Sequence, residues 1–387
     1  MFLEKTIEKN PELVECAFQF LAQGAIQPDS YIIDVDRLLT NAKNILDVAT
    51  RYNVKLYFMT KQIGRNPYIG KKLVELGYEG AVCVDYKEAL SLGQHGVKIG
   101  HVGHLVQIPK QSIPKILQLK PEILTIYTVE KAQEIAEVAK ELNVEVDLML
   151  RVLDTDDCIY EGQNGGIAIE KLEATVEKIQ RLEHVNIRGV TSFPCFLYNE
   201  QTHTVEGTRN LATIKKALEI FEKMGIEITQ VNLPSNTSME TIEMIHQAGG
   251  THGEPGHGLS GTTPKHAIQS DGEIPAIVYA SEISHTFGSK AYFYGGGHYR
   301  RSHMNKALVG QSLATAQMVD VLPLDPTAID YYFEINQPCN VSYPVVAAFR
   351  TQIFVTRSDV VLVEGLSKGK AHIVGVYDSQ GRLREEC

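Results

Sequence analysis

No tryptophan occurs in this 387-residue chain, and no apolar run approaches the roughly 18 residues that a membrane-spanning helix requires. Basic residues are in deficit. The 37 Lys and Arg against 47 Asp and Glu leave a formal charge of −10, which disfavours nucleic acid or an anionic membrane as a partner, though not a local basic pocket. Cysteine is sparse: six residues, at 16, 83, 158, 195, 339 and 387, form no CxxC pair. Neither a disulfide framework nor a thiolate metal site is expected, and the thiols read as reduced, in a cytoplasmic protein. The opening MFLEKTIEKNPELVE carries acids where a secretion signal has a basic segment. The 13 histidines include no HExxH spacing, so no metal is expected, and His101 and His104 at a strand end read as polar lining.

What is present is an alternation. From residue 31 short apolar runs (YIIDV, KLYFM, GAVCV, IGHVGH, ILTIY, VDLMLRV, IRGVTSF, QVNLPS, GGTHGEP) are separated by amphipathic stretches at 37–52, 66–77, 86–95, 109–118, 129–142, 170–183, 205–224 and 238–247. Val- and Ile-rich runs without strict in-out alternation indicate a parallel sheet covered by helices. Nine candidate strands compete for the eight places of a (β/α)8 TIM barrel. Residues 31–35 are assigned outside it, which makes KLYFM the first barrel strand and GGTHG the last. After about residue 265 helical periodicity fades and runs such as AIVYASEISHTF, KAYFYGGG, AAFRTQIFV, DVVLVEG and AHIVGVYD follow one another, the pattern of a β-rich domain. The expected organisation is a helical arm over 1–28, a barrel over 29–265 and a C-terminal β domain over 266–387.

Barrel active sites lie at the C-terminal strand ends, with phosphate held after strands seven and eight. Lys61 follows the first strand. The loop LPSNTSM after the seventh supplies Ser235, Asn236, Thr237 and Ser238, and EPGHGLSG after the eighth supplies Gly256, His257 and Gly258, a combination suited to an anion. Each is equally an ordinary helix cap or turn; co-occurrence carries the argument. A lysine at one end, a phosphate cradle at the other and a carboxylate, Glu254, beside the cradle are the parts that hold pyridoxal 5'-phosphate.

Over about 31–380 the sequence resembles the alanine racemase-like (fold type III) enzymes, nearest their YhfX group. FMTKQIGRN looks like the strand with the cofactor lysine, Lys61. VDLMLRV with Arg151, then NGGIAI, is similar to the family's basic residue and glycine segment. EPGHGL and QPCN, with Cys339, resemble motifs of the decarboxylase branch, and GVTSFPCF with LPSNTS resembles the ornithine racemase type. The resemblance implies an amino-acid racemase, with a decarboxylase as the alternative and a non-catalytic cofactor carrier disfavoured by the β domain. It further implies a homodimer with shared active sites, in which Cys339 of a second copy acts opposite Lys61, with Tyr343 or Tyr294 as substitutes. Three departures stand out. Glu254 replaces the arginine that alanine racemases place at the ring nitrogen, His257 replaces the decarboxylase arginine after EPG, and Ser192 replaces the ring-stacking histidine. The cluster Tyr294, His298, Arg300, Arg301 and His303 around a glycine triplet suggests binding of an anionic part of a small amino-acid substrate.

Overall fold

The computed structural model describes residues 1–297 and 299–385. By contacts they divide into two units, Asn44–Thr60 with Pro67–Gly256, and Met1–Lys43 with Lys61–Asn66 and His257–Cys387.

The first unit is a closed parallel barrel. Its strands are β1 (Lys55–Met59), β2 (Gly80–Cys83), β3 (Ile99–Val102), β4 (Ile123–Ile126), β5 (Val146–Leu153), β6 (Val185–Thr191), β7 (Gln230–Asn232) and β8 (His252–Gly253). They pair in chain order, and β8 closes on β1 with His252 opposite Lys55 and Gly253 opposite Leu56. Helices connect them for the reason visible in Val129–Leu142. The Thr128 hydroxyl accepts the Lys131 N–H at 3.2 Å at its start, Asn143 takes a left-handed conformation (φ 51) at its end, and Ala132, Ile135, Ala136 and Ala139 are buried along one face. Truncating Ile135 to Ala would cost about 2–5 kcal/mol.

One expectation about the barrel is corrected here. The helix read over 205–224 begins only at Asn210. Thr204–Gly207 is a strand paired with Phe196–Asn199, because Asn199 turns the chain by accepting the Gln201 and Thr202 N–H groups on its side chain. In addition, Ile167–Ala168 within NGGIAI pairs in parallel with Val152 and Leu153.

The second unit contains a mixed sheet. Its strands run in the order Gln317–Asp320, Lys306–Val309, Pro344–Ala347, Ile277–Phe287, Ser30–Asp34, Asp359–Glu364, His372–Asp378 and Leu383–Glu385. Ser30–Asp34 is antiparallel to Ile277–Phe287 and parallel to Asp359–Glu364, so YIIDV lies outside the barrel. Helices Phe2–Lys9 and Pro11–Ala22 bury Leu3, Leu13 and Phe18 with Val278, Val346 and Val361 of the sheet. The run AAFRTQIFV is not a strand throughout. The ladder ends at Ala347, a short 3-10 turn spans Ile353–Val355, and the Arg350 and Thr351 side chains bond elsewhere in the same unit. No helix among the described residues is long and apolar enough to cross a membrane.

Candidate active site

Inside the barrel, polar side chains stack in layers on an apolar wall. Low in the barrel, Tyr57 donates to Gln230 Oε1 at 3.0 Å, Gln230 donates to Glu122 at 3.1 Å, and the Tyr57 ring stacks on His252 at 5.4 Å. Burial, then the charge of Lys55, pushes His252 down to about 4.

At the C-terminal strand ends lies a buried carboxylate. Glu254, 5% exposed, is the residue after β8. Its Oε1 lies 2.8 Å from His101 Nδ1 and accepts Asn232 Nδ2–H at 2.6 Å, while its backbone N–H donates to Thr237 Oγ1 at 3.0 Å. His101 Nε2 is 2.5 Å from Thr125 Oγ1, and His104 Nε2 is 3.8 Å from Glu254 Oε2. Burial raises the Glu254 pKa, but the charge of His104 and the bond and charge of His101 outweigh it, with Asn232 adding, and bring it to about 2. Gly103 makes the imidazole pair possible. Its φ is +93, and a Cβ there would meet the Thr125 carbonyl oxygen at 2.5 Å. His101 and His104 are thus carboxylate partners and not mere lining, and the sequence reading missed Asn232 and Thr125 altogether. Among the described residues no group of His, Cys, Asp and Glu is arranged to hold a metal ion.

The remaining barrel positions are placed as follows. Arg151 on β5 donates to Tyr127 Oη at 2.7 Å and to the Gln163 carbonyl at 3.0 Å. Ser192, just past β6, accepts Asn210 Nδ2–H at 3.0 Å, and the next residue, Phe193, meets the His104 ring edge-on at 5.4 Å. Ser235 and Asn236 have consecutive positive φ values of 92 and 52, a strained turn costing about 1–3 kcal/mol at each residue. Asn236 donates to the Phe196 carbonyl, and Ser238 caps helix Met239–Gln247. Thr60 precedes Lys61 in the chain and is pinned by its 2.5 Å bond to buried Glu88, whose other oxygen accepts the Val84 N–H at 2.7 Å.

In the second unit Lys61 opens a 3-10 turn, Lys61–Ile63, and is half-buried. His257, which opens helix His257–Ser260, lies beside Gly258 and bonds Thr262, Arg350 and Gln352. Cys339 is half-buried in a cavity of about 380 Å³ with Gln337, Asn340 and Tyr343, and burial pushes its thiol upward. Tyr294 is exposed, with its ring 5.9 Å from Tyr332. Arg300 is exposed at a separate cavity of about 390 Å³ that also includes Ser302 and His303. His298 lies outside the described residues.

The chain belongs to the alanine racemase-like family: residues 33–264 match the model described as alanine racemase, N-terminal domain. Residues 278–373 match the YhfX-like C-terminal domain. The protein YhfX of Escherichia coli (strain K12), described as uncharacterized, is 42% identical over 98% of this chain and 99% of its own. The fold is shared with alanine racemase from Clostridium difficile 630 in complex with cycloserine (TM-score 0.65, 18% identity, 90% of this chain and 98% of that one). It is shared equally with D-threonine aldolase from Filomicrobium marinum (0.66, 13%, 92% and 95%). Diaminopimelate decarboxylase from M. jannaschii with L-lysine has it too (0.64, 13%, 94% and 93%).

Proposed function

We propose that this protein is a pyridoxal-phosphate-dependent enzyme acting at Cα of an amino acid, and that it is a racemase. Glu254 carries the reading. It is a buried carboxylate held ionised at a barrel strand end, and its Oε2 has no hydrogen-bond partner among the described residues. Asn232 Oδ1 beside it is likewise buried and unbonded. A protonated ring nitrogen satisfies such an acceptor, so these residues fit the cofactor.

In this reading Lys61 holds the cofactor. Ser235, Asn236, Thr237, Ser238, Gly256, His257 and Gly258 receive its phosphate, and Arg151, Ser192 and Tyr343 border it. When bound, pyridoxal phosphate supplies an electron-accepting ring for the charge that develops at Cα. Glu254 keeps a negative charge at the ring-nitrogen end, Lys61 takes and returns a proton on one face of Cα, and Cys339 of a second copy serves the other face. Tyr294 and Arg300 contact the substrate, and Arg300→Ala or Arg301→Ala is expected to raise KM more than it lowers kcat.

A decarboxylase is the second reading, because a carboxylate at Glu254 strengthens the electron sink for loss of CO2 as well as of a proton. Purified protein with a panel of amino acids in D2O separates them. Deuterium at Cα with the carboxylate retained supports the racemase, and CO2 release supports the decarboxylase. Neither outcome with any amino acid rejects both.

A further inference from the structure

The run AAFRTQIFV leaves its sheet after Ala347, and the departing stretch meets the turn that carries Lys61. Thr351, 2% exposed, donates its hydroxyl to the Gln62 carbonyl at 3.1 Å, inside the 3-10 turn Lys61–Ile63. Gln62 is itself buried, and the carbonyls of so short a turn outnumber the bonds it can make internally, so a donor from another segment fixes where the turn sits. Two further contacts tie the following residues to the same stretch. Gly64 (φ +70) packs so closely that a Cβ would meet Val360 Cγ2 at 2.9 Å and Ile353 Cγ2 at 3.3 Å. Arg65, also left-handed (φ 53), donates from Nη1 to Gln380 Oε1 at 2.9 Å and lies 5.0 Å over the Phe354 ring, while Gln380 Nε2 donates to the Phe354 carbonyl at 2.7 Å.

We propose that Thr351 is a positioning residue for Lys61, its hydroxyl fixing the turn that begins with the lysine. The inference rests on the function proposed above, in which Lys61 holds pyridoxal phosphate. The packing at Gly64 and Arg65 anchors the far end of the segment, whereas Thr351 bonds the residue directly after Lys61. Removing the hydroxyl takes a donor away from a buried carbonyl, and the turn relieves that cost by shifting the Gln62 peptide. Lys61 shifts with it. A reacting group displaced by about 1 Å loses about 10²-fold in rate, so a bond of this kind is felt in the reactivity of the amine before it is felt in the fold.

Thr351→Val keeps the shape and removes the donor, and Thr351→Ser keeps the donor. The full-length wild type and both variants, freed of cofactor, would be mixed with pyridoxal phosphate and the growth of its protein-bound visible band timed, with borohydride and peptide mapping to identify the lysine. Pyridoxine phosphate, which has no aldehyde, reports non-covalent binding to the same site. Thr351→Val is expected to slow attachment about 10- to 100-fold and leave pyridoxine phosphate affinity unchanged, and Thr351→Ser to restore the rate to within about threefold of wild type. Unchanged affinity also reports that the variant is folded. A merely structural role would move rate and affinity together. Attachment at the wild-type rate in Thr351→Val, a parallel loss of pyridoxine phosphate binding, or no rescue by Thr351→Ser overturns the inference while the enzymatic reading stands. If wild type binds neither compound, or borohydride marks a lysine other than Lys61, both fall.

Discussion

His101 Nδ1 sits 2.8 Å from Glu254 Oε1, with both side chains essentially removed from water. This pairing makes a charged carboxylate tolerable inside the barrel, since an unpaired buried charge costs several kcal/mol. His101→Leu removes the partner and is expected to destabilise the protein by about 3–5 kcal/mol. His101→Asn, whose amide can imitate Nδ1–H, is expected to recover part of it. Thermal unfolding of the three proteins, with the absorption spectrum of added cofactor against pH, would check this. Equal effects of Leu and Asn would assign His101 to packing alone.

Glu254 also predicts a pH dependence. Its pKa falls from 4.5 unfolded to about 2 folded. Protons therefore favour the unfolded chain, and the stabilisation is present above about pH 4.5 and lost as pH falls toward 2. The contribution is on the order of 3 kcal/mol. Denaturant titrations from pH 6 down to 2 should show a shallower loss in Glu254→Gln than in wild type. The same variant should bind cofactor yet lose about 100-fold or more in turnover. Unchanged turnover removes Glu254 from the mechanism.

Lys61→Ala should abolish the visible absorption of protein-bound pyridoxal phosphate. Borohydride reduction followed by peptide mapping should mark Lys61 in wild type. A mark on another lysine would overturn the assignment.

Cys339→Ala should separate the two faces of Cα. Hydrogen exchange with one enantiomer is expected to fall about 10²- to 10⁴-fold, while exchange with the other, served by Lys61, persists. Equal loss for both would count against a one-face role. Burial raises the thiol pKa, so exchange should increase with pH above neutrality. Normal exchange in Cys339→Ala would turn attention to Tyr343 and Tyr294.

The barrel was legible because its signal is local. Runs such as KLYFM and GAVCV, each followed by a helical stretch, appear as β1, β2 and the helices after them. The β-rich texture beyond residue 265 was equally readable, as was the exclusion of YIIDV from the barrel. Reading failed where pairing across distance outweighed local pattern. Val205 reads as helix but pairs with Tyr198, and Phe349 reads as strand but follows a ladder that ends at Ala347.

For the site, sequence alone determined that Lys61 and Glu254 follow the first and last barrel strands, since strand order is written in the chain. It also determined the deficit of basic residues against which a cationic cluster stands out. Only tertiary structure decided that His101, 153 residues away in sequence, bonds Glu254, and that Arg350, 93 residues away, meets His257. The physical reason is common to both pairs. A buried polar group takes whichever partner the packed elements bring within hydrogen-bond reach, and that proximity comes from barrel closure and from the departure of residues 348–352 from their sheet, which no local periodicity encodes.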